Sequence, residues 1–427
     1  VTVWEDVQVV DVLFEDGKAE GVRYATGGSS SSAVAHARFV VDASGQRALL
    51  GHKLGLRRWD AFFQNLAVYG YFGGAQCLPE SNQNNIFIES VAQGWLWAIP
   101  LHTGRMSVGV VVDSTWGQDA IRRQGLRSFY LEQIAGAPHV QTMLREARLV
   151  REPAVIKDWS YQSERIAGDG YALAGDAACF VDPLFSSGVH LALMAGVLAA
   201  AYVTTALKDD GMREAAGRVY EELYAKQYGY FREMAKLFYA SNRSVESYFW
   251  EARRLLGNDE AVLPRHAFIQ AVAGQSPLGY ERVVLERGHV PAAFAGEVQA
   301  IQEERAARGA ELMALFAQPK TVEHVVLRLV PRLAEGVQVE RKPVLAEGEF
   351  VPGYVLKTAG YPEGTPCSAF VAKLISLVDG RTPISGLITG LGGGQEEAAD
   401  TQLLRIVLST IQILYLGGTI AELQGCR

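Results

Sequence analysis

The stretch YALAGDAACFVDPLFSSGVHLAL, residues 171–193, decides the fold of this chain. A short strand of small residues ends in a GDA turn (175–177), and a second turn, DPLFSSG (182–188), leads into a long apolar helix. Glycine lets a bound molecule approach the backbone, and a carboxylate directly after a strand can bind a sugar hydroxyl. Small residues at a helix start leave its first N–H groups open to an anion or an electron-rich ring edge. The alternative is a core helix that is capped by serine.

A second stretch, GWLWAIPLHTGRMSVGVVVD (94–113), places two of the seven tryptophans one residue apart. Alternation along a strand predicts that Trp95 and Trp97 lie on the same face, and Pro100 ends that strand. Residues 106–112 predict the next strand. Two neighbouring indoles form a large rigid surface, which suits either a core or a wall between two cavities.

Composition limits the possible functions. The 427 residues suit two or three domains, and 49% hydrophobic residues with a mean hydropathy of +0.06 indicate a globular protein. A net charge of −7 gives no electrostatic basis for nucleic-acid binding. The apolar run 191–203 is shorter than a membrane span, and no signal peptide opens the sequence. The four cysteines form no CxxC pair, so we expect reduced cytoplasmic thiols and no metal site.

Hydrophobic periodicity organises the rest of the chain. Residues 7–27 predict a hairpin that turns at Asp16-Gly17, and 36–45 a strand that runs into a glycine turn. Residues 67–113 hold several strands, and mainly helical segments follow at about 114–148 and 212–318. A Gly- and Pro-rich stretch, 341–365, is predicted to be a linker. The last residues predict two or three short helices, one of which begins at Thr382-Pro383, in a pattern that resembles a winged-helix domain.

Three motifs carry a resemblance to a known family: VVDASG (40–45), GWLWAIP (94–100) and GDAACFVDPLFSSGVHLAL (175–193), in that order. Together they resemble the flavin-dependent halogenases, within the wider FAD-binding superfamily of aromatic hydroxylases. The GDA turn is shared with hydroxylases and geranylgeranyl-reductase-like enzymes. The GWxWxIP pattern is the hallmark of halogenases, and all five of its fixed positions match: Gly94, Trp95, Trp97, Ile99 and Pro100.

The resemblance covers about residues 1–260 and implies an α/β (α+β) fold of the aromatic-hydroxylase type. We predict an FAD-binding halogenase domain at 1–260, to which 60–150 contribute the substrate-side sheet. A helical segment at 261–340 and a winged-helix-like C-terminal domain at 341–427 follow.

The family's chemistry implies a reaction for this chain. Reduced FAD and O2 give a flavin hydroperoxide, chloride attacks its distal oxygen, and the resulting hypochlorous acid chlorinates an electron-rich ring. In that family the two tryptophans, here Trp95 and Trp97, line the region between flavin and substrate. Because no NAD(P)H site is visible, a separate NAD(P)H-dependent flavin reductase is the expected partner.

The same resemblance assigns binding residues. The backbone N–H groups of Ser187 and Gly188 match the positions that hold chloride. The FAD-binding positions, from the ADP half to the flavin ring, are Asp42, Gly45, Gly175, Asp176, Asp182, Pro183, Gly188 and Val189. A low-priority set of substrate-pocket residues comprises Phe185, His190, Phe231 and Phe238. The last two belong to an aromatic helical pattern over 228–250, which also holds Tyr239 and for which core packing is the default interpretation.

The chain departs from the family pattern at two places. The family's opening strand, GxGxxG turn and helix, and the lysine that handles the oxidant, are not found. We expect them upstream of Val1, in a unit of at least about 30 residues, and assign that role neither to Lys53 nor to Lys157. The glycine cluster GLITGLGGGQ (386–395) follows a helix-like stretch, so it is interpreted as a loop.

The second departure concerns the substrate. Tryptophan halogenases carry a glutamate where this chain has Phe185. Its loss argues against free tryptophan and favours a phenol or pyrrole, either free or tethered to an acyl or peptidyl carrier protein. Two other hypotheses stay open: a flavoprotein oxidoreductase similar to geranylgeranyl reductases or aromatic hydroxylases, and a non-catalytic remnant whose C-terminal domain binds a carrier protein.

Overall fold

A computed structural model describes residues 1–27, 32–157, 159–241, 292–316, 325–359, 361–392 and 401–425. These residues form two compact units. The first contains residues 1–199 and the described residues from 220 to 241, and the second contains 200–219 and the described residues from 292 onward. The elements are numbered here in chain order over the described residues.

The strands are β1 (Val7–Glu15), β2 (Lys18–Thr26), β3 (Ser32–His36), β4 (Val40–Asp42), β5 (Arg57–Trp59), β6 (Asn65–Gly73), β7 (Phe87–Val91), β8 (Gly94–Pro100), β9 (Arg105–Asp113), β10 (Arg148–Leu149), β11 (Ala154–Lys157), β12 (Tyr161–Ser163), β13 (Ala167–Gly168), β14 (Tyr171–Leu173), β15 (Cys179–Phe180), β16 (Leu329–Leu333), β17 (Gln338–Leu345), β18 (Phe350–Thr358), β19 (Tyr361–Cys367) and β20 (Ile420–Gly425).

The helices are α1 (Leu49–Lys53), α2 (Ser114–Gln124), α3 (Leu126–Ala135), α4 (Pro138–Met143), α5 (Gly188–Lys208), α6 (Arg213–Ser241), α7 (Ala292–Phe316), α8 (Ala369–Leu377), α9 (Ile384–Leu391) and α10 (Thr401–Leu416). Short 3-10 turns include Gly45–Arg47, Gly175–Ala177 and Pro183–Phe185.

The largest sheet in the first unit has six strands, in the order β10-β6-β9-β8-β7 with β11 also paired to β6. Alternation divides its side chains between two faces. One face packs against α2, α3 and α4 in a core that includes Leu66, Val68, Val110, Phe129 and Tyr130. The opposite face carries the two tryptophans of β8.

The first unit also contains smaller sheets, and one of them carries two of the motif turns. β1, β2 and β3 form an antiparallel sheet, and the predicted hairpin turn at Asp16-Gly17 is confirmed, with positive φ at both residues. β4 runs parallel to β14, with Asp42 opposite Leu173. Because parallel strands end at the same edge, the DASG turn (42–45) and the GDA turn (175–177) follow neighbouring strands.

The second unit has its own core, built from α7, α8, α9, α10 and the β16–β20 pair. The linker predicted for 341–365 is wrong, because 338–345, 350–358 and 361–367 form a three-stranded antiparallel sheet, β17-β18-β19. The loop predicted for 386–395 is also wrong for 386–391, which belong to α9, whereas 393–395 lie outside the described residues. The domain boundaries at 260 and 340 and the winged-helix likeness stay predictions.

Helix α5 is longer than the apolar run 191–203, which is shorter than a membrane span. It extends over 21 residues and is long and apolar enough to cross a bilayer, although 44% of its most apolar window is buried inside the protein. A single apolar helix of this kind is also typical of the core of a globular domain, so it is weak evidence for a membrane span.

Candidate active site

The two tryptophans lie on one face of β8, as predicted. In the register with β9, Trp95 is opposite Val111 and Trp97 is opposite Gly109. A Cβ atom on Gly109 would lie 2.1 Å from Cζ2 of Trp97, so the glycine makes room for the indole. The ring centres are 6.0 Å apart at 52°, which is a tilted pair rather than a parallel stack. Trp95 is fully buried and Trp97 is half-buried.

A cavity of about 460 Å³ lies over this face of the sheet. The sheet contributes an apolar and aromatic floor, which includes Ala67, Tyr69, Tyr71, Trp95, Trp97 and Ser107. The other side is lined by residues 182–189 except Phe185. The cavity therefore brings together the tryptophan strand and the small-residue turn, which are 80 or more residues apart in sequence.

Hydrogen bonds and one left-handed residue fix the backbone conformation of the turn before α5. Asp182 caps the 3-10 turn, because its Oδ1 accepts a hydrogen bond from the Leu184 N–H at 3.0 Å. Ser186 is left-handed with φ 52°, and the Leu191 N–H donates to the Ser187 carbonyl at 2.9 Å. The first N–H groups of a helix have no partner inside that helix. Ser187 and Gly188 carry such groups at the wall of the cavity.

Tyr239 on α6 connects the tryptophan strand to this turn. Its phenol oxygen accepts hydrogen bonds from Nε1 of Trp95 at 2.6 Å and from Nδ2 of Asn65 at 3.2 Å. Its hydroxyl donates to Oδ2 of Asp182 at 3.3 Å. All four side chains are buried. Helical periodicity predicts core packing for Tyr239 and gives no signal for Asn65, because it cannot show which core tyrosine has polar partners.

Burial controls the charge of Asp182. Desolvation raises the pKa of this carboxyl from 3.8 to about 6, while the hydrogen bonds from Leu184 and Tyr239 act in the opposite direction. The indole N–H of Trp159 also favours the carboxylate, although its geometry falls outside that of a hydrogen bond. A carboxyl with this pKa changes its charge close to neutral pH.

The GDA turn lies beside the start of α5. Gly175 has φ +61°, and a Cβ there would lie 3.2 Å from Cβ of Ala192, so the position favours glycine. A Cβ on Gly188 would lie 4.0 Å from Oδ1 of Asp176, which places that carboxylate next to the helix start. Burial raises the pKa of Asp176. These small residues and this carboxylate fit the edge of a flavin and its hydroxylated side chain.

The DASG turn has a structural role that the sequence analysis did not predict. The carboxylate of Asp42 accepts hydrogen bonds from the Ser44 N–H at 3.0 Å and the Leu50 N–H at 2.7 Å. Both oxygens therefore hold the turn and the start of α1. Gly45 adopts φ +65° within the same turn. A direct contact of Asp42 with FAD stays a prediction.

The four residues predicted for a substrate pocket do not line this cavity. Phe185 packs edge-on against Phe238, with ring centres 6.4 Å apart, and His190 packs against Phe231 at 5.6 Å. Lys53 binds Asp11 and the Val12 carbonyl, which agrees with leaving it without a catalytic role. Among the described residues, no group of three metal-binding side chains comes together.

The fold and the site bring a strand with two tryptophans and the small-residue start of a long apolar helix to one cavity. The profile of the tryptophan halogenase family matches residues 1–300, and the chain belongs to this family. The tryptophan 2-halogenase of Chondromyces crocatus is 30% identical over 287 residues, which are 65% of this chain and 55% of that protein. The sulochrin halogenase of Aspergillus terreus is 38% identical over 170 residues, which are 38% of this chain and 31% of that protein.

Solved structures agree with this assignment. The myxobacterial chondrochloren halogenase CndH, described as a variant of FAD-dependent halogenases, has 38% identity and a TM-score of 0.55 over 64% of this chain and 62% of its own. The flavin-dependent halogenase CmlS shares the fold at 23% identity, with a TM-score of 0.64 over all of this chain and 76% of its own. The chain spans about half or less of the curated relatives named above.

Proposed function

We propose that this protein is an FADH2-dependent halogenase that oxidises chloride to hypochlorous acid and chlorinates an electron-rich aromatic compound in natural-product biosynthesis. The observation that carries the proposal is the single cavity that joins Trp95 and Trp97 to the N–H groups at the start of α5. An oxidoreductase of the geranylgeranyl-reductase or aromatic-hydroxylase type has no need for this pair of tryptophans. A remnant without activity has no need for a cavity that both motifs line.

The start of α5 is suited to a halide ion. The N–H groups of Ser187 and Gly188 point a partial positive charge out of the helix end. Asp182 is the acidic residue among the described cavity-lining side chains, and its two oxygens accept hydrogen bonds from Leu184 and Tyr239. Its charge is thus partly compensated, which lowers its competition with an anion.

The cofactor is FAD, which activates O2 when it is bound in reduced form. Gly175, Asp176, Asp182, Pro183, Gly188 and Val189 are the residues that would hold its flavin half, and Asp42 and Gly45 lie on the side proposed for the ADP half. Electrons come from a separate NAD(P)H-dependent flavin reductase. The tryptophan face lies across the cavity from this region, and its apolar surface disfavours water there. We place the protein in the cytoplasm, where such a reductase and its nicotinamide are available.

The proposed substrate is a phenol or a pyrrole, free or tethered to a carrier protein. Phe185 stands at the position of the carboxylate that assists halogenation of tryptophan, and it packs against Phe238 instead of facing the cavity. A ring with a strong donor substituent reacts without a carboxylate. The aromatic floor around Tyr69, Tyr71 and Trp97 supplies flat surfaces for such a ring.

The test removes one N–H group at the helix start. Proline is well tolerated as the first residue of a helix, so Gly188→Pro deletes this donor with little effect on α5. We expect loss of halogenated product, while FADH2 oxidation continues with release of hydrogen peroxide. Gly188→Ala is the matched control, since it keeps the N–H and adds a Cβ at an ordinary 3.4 Å from Cε2 of Phe180. Halogenation by the proline variant at the rate of the alanine variant would show that the halide site is assigned wrongly.

A further inference from the structure

The face of the sheet that carries the cavity continues beyond it. Along β6, Tyr69 and Tyr71 line the cavity, and the next residue on this face is Gly73. Gly73 is opposite Arg105 on β9 and opposite Arg148 on β10. Residues directly opposite on antiparallel strands project from the same face. The two arginines therefore flank a position without a side chain.

A third arginine lies at the same end of the face. The guanidinium carbon of Arg151 is 4.9 Å from the ring centre of Tyr71, whose backbone carbonyl accepts a hydrogen bond from the Val150 N–H at 2.8 Å. The name arginine row is used here for Arg105, Arg148 and Arg151.

The arginine row is distinguished by the grouping of three such residues at one end of the face, since single exposed arginines such as Arg123 also form no ion pair among the described residues, while others are paired. Arg122 pairs with Asp119, and Arg127 pairs with Glu152. All three residues of the row are exposed, and within the described part of the chain none of them forms an ion pair with an acidic side chain. Three arginines without acidic partners at the end of a cavity, in a chain of net charge −7, indicate an anion site.

Strand geometry gives the distance between the arginine row and the two tryptophans, beside which halogenation is proposed to occur. On β6, Ala67 is six residues from Gly73 and lies beside Val111 and Trp95 of the next two strands. Tyr69 is four residues from Gly73 and lies beside Gly109 and Trp97. At about 3.3 Å per residue these separations are about 20 Å and about 13 Å. Aromatic and aliphatic side chains cover the surface between the two ends, and the described lining of the cavity includes no lysine or arginine.

We propose that the arginine row binds an anionic group, a phosphate or a carboxylate, which the substrate carries about 13–20 Å from the ring that is halogenated. Planar guanidinium groups bind both anions with two hydrogen bonds, and the intervening apolar surface accommodates an uncharged linker. This inference rests on the proposed function, since it describes the substrate of the same site. A phosphate would come from the arm of a carrier protein, and a carboxylate from a free acid.

The test measures binding without turnover, on the FAD-loaded protein under oxidising conditions and without a reductase. Calorimetry compares two matched pairs of probes. The first pair is 4-hydroxybenzoyl-4′-phosphopantetheine and the same thioester of pantetheine. The second pair is 11-(4-hydroxyphenyl)undecanoate and its amide. We expect one anionic probe to bind about tenfold more tightly than its neutral partner at low salt, with a preference that declines as salt is added.

Substitutions locate the effect. Arg105→Gln/Arg148→Gln and Arg151→Gln are expected to abolish or reduce the tenfold preference, whereas Arg123→Gln, an exposed arginine on α2 at the other face of the sheet, leaves it unchanged. A preference in the phosphate pair identifies a tethered substrate, and a preference in the carboxylate pair identifies a free acid. Equal affinities within both pairs, or a preference that survives in the arginine variants, would overturn the inference.

A separate measurement keeps this failure distinct from failure of the proposed function. Chlorination of 4-ethylphenol, which has no anionic group, is expected to proceed at similar rates in the wild type and in the arginine variants. Absence of chlorination by the wild type contradicts the proposed function, whereas the binding preference reports on the arginine row alone.

Discussion

The two ends of the functional sheet face have opposite physical properties. At the Trp95 end, four polar side chains meet in the interior: Trp95 and Tyr239 are at most 1% exposed, and Asn65 and Asp182 are also buried. At the Gly73 end, the charged side chains of the arginine row are exposed to solvent. Electrostatic interactions are strong and fixed where water is excluded, and weak and adaptable where it is not. The buried end is thus suited to chemistry and the open end to recognition.

At the buried end, Trp95 is expected to contribute about twice as much to stability as Trp97, which lies on the same strand. Trp95→Ala removes a fully buried indole and a donor to Tyr239, so we expect a loss of about 3–5 kcal/mol in the free energy of unfolding. Trp97→Ala, at a half-buried position, is expected to cost about half as much. Urea denaturation followed by circular dichroism measures both. Equal losses in the two variants would contradict the distinction between a closed and an open part of the face.

The charge of Asp182 provides a smaller effect that depends on pH. Its pKa is raised from 3.8 to about 6, so the folded state binds the proton more tightly than the unfolded state. The contribution of this carboxyl to stability is therefore expected to fall as pH rises from about 4 to about 6, by about 3 kcal/mol at most, since one pKa unit corresponds to about 1.4 kcal/mol. Above that window this carboxyl contributes no further change.

The comparison of two variants isolates this carboxyl. Asp182→Asn cannot titrate, so the decrease in stability between about pH 4 and pH 6 is expected to become smaller, and Asp176, whose pKa is also raised by burial, accounts for part of what remains. Asp119→Asn, at an exposed position on α2, serves as control and is expected to retain the full decrease. If stability depends on pH in the same way in Asp182→Asn as in the wild type, Asp182 makes no such contribution, and the buried end is less closed than its geometry indicates.

Local sequence patterns predicted the parts of this site that depend on a single strand or turn. Alternation was enough to place Trp95 and Trp97 together, and the Asp-Gly pair was enough to locate the first hairpin. The polar contacts of Tyr239 and the arginine row were missed because they depend on contacts between distant segments. Nothing near Gly73 indicates that β6 pairs with β9 on one side and with β10 on the other.

The error at 341–365 has a related cause. Glycine and proline content favoured a linker, but two of the glycines make room for side chains of the neighbouring strand. A Cβ on Gly353 would lie 2.3 Å from Cγ2 of Val344, and one on Gly364 would lie 2.2 Å from Cγ1 of Val355. Composition alone cannot distinguish a glycine that loosens a chain from one that lets two strands pack closely.

The central claim is that this site transfers a halogen, and one experiment tests it most directly. The holoenzyme is supplied with FAD, a flavin reductase, NADH, O2 and either chloride or a halide-free buffer, together with a simple phenol or monochlorodimedone as acceptor. Mass spectrometry of the acceptor is expected to show a chloride-dependent mass gain with the isotope doublet of chlorine. Insertion of oxygen into the acceptor, in the absence of any chlorinated product, would contradict the account and would reduce the tryptophan pair to an ordinary pocket wall.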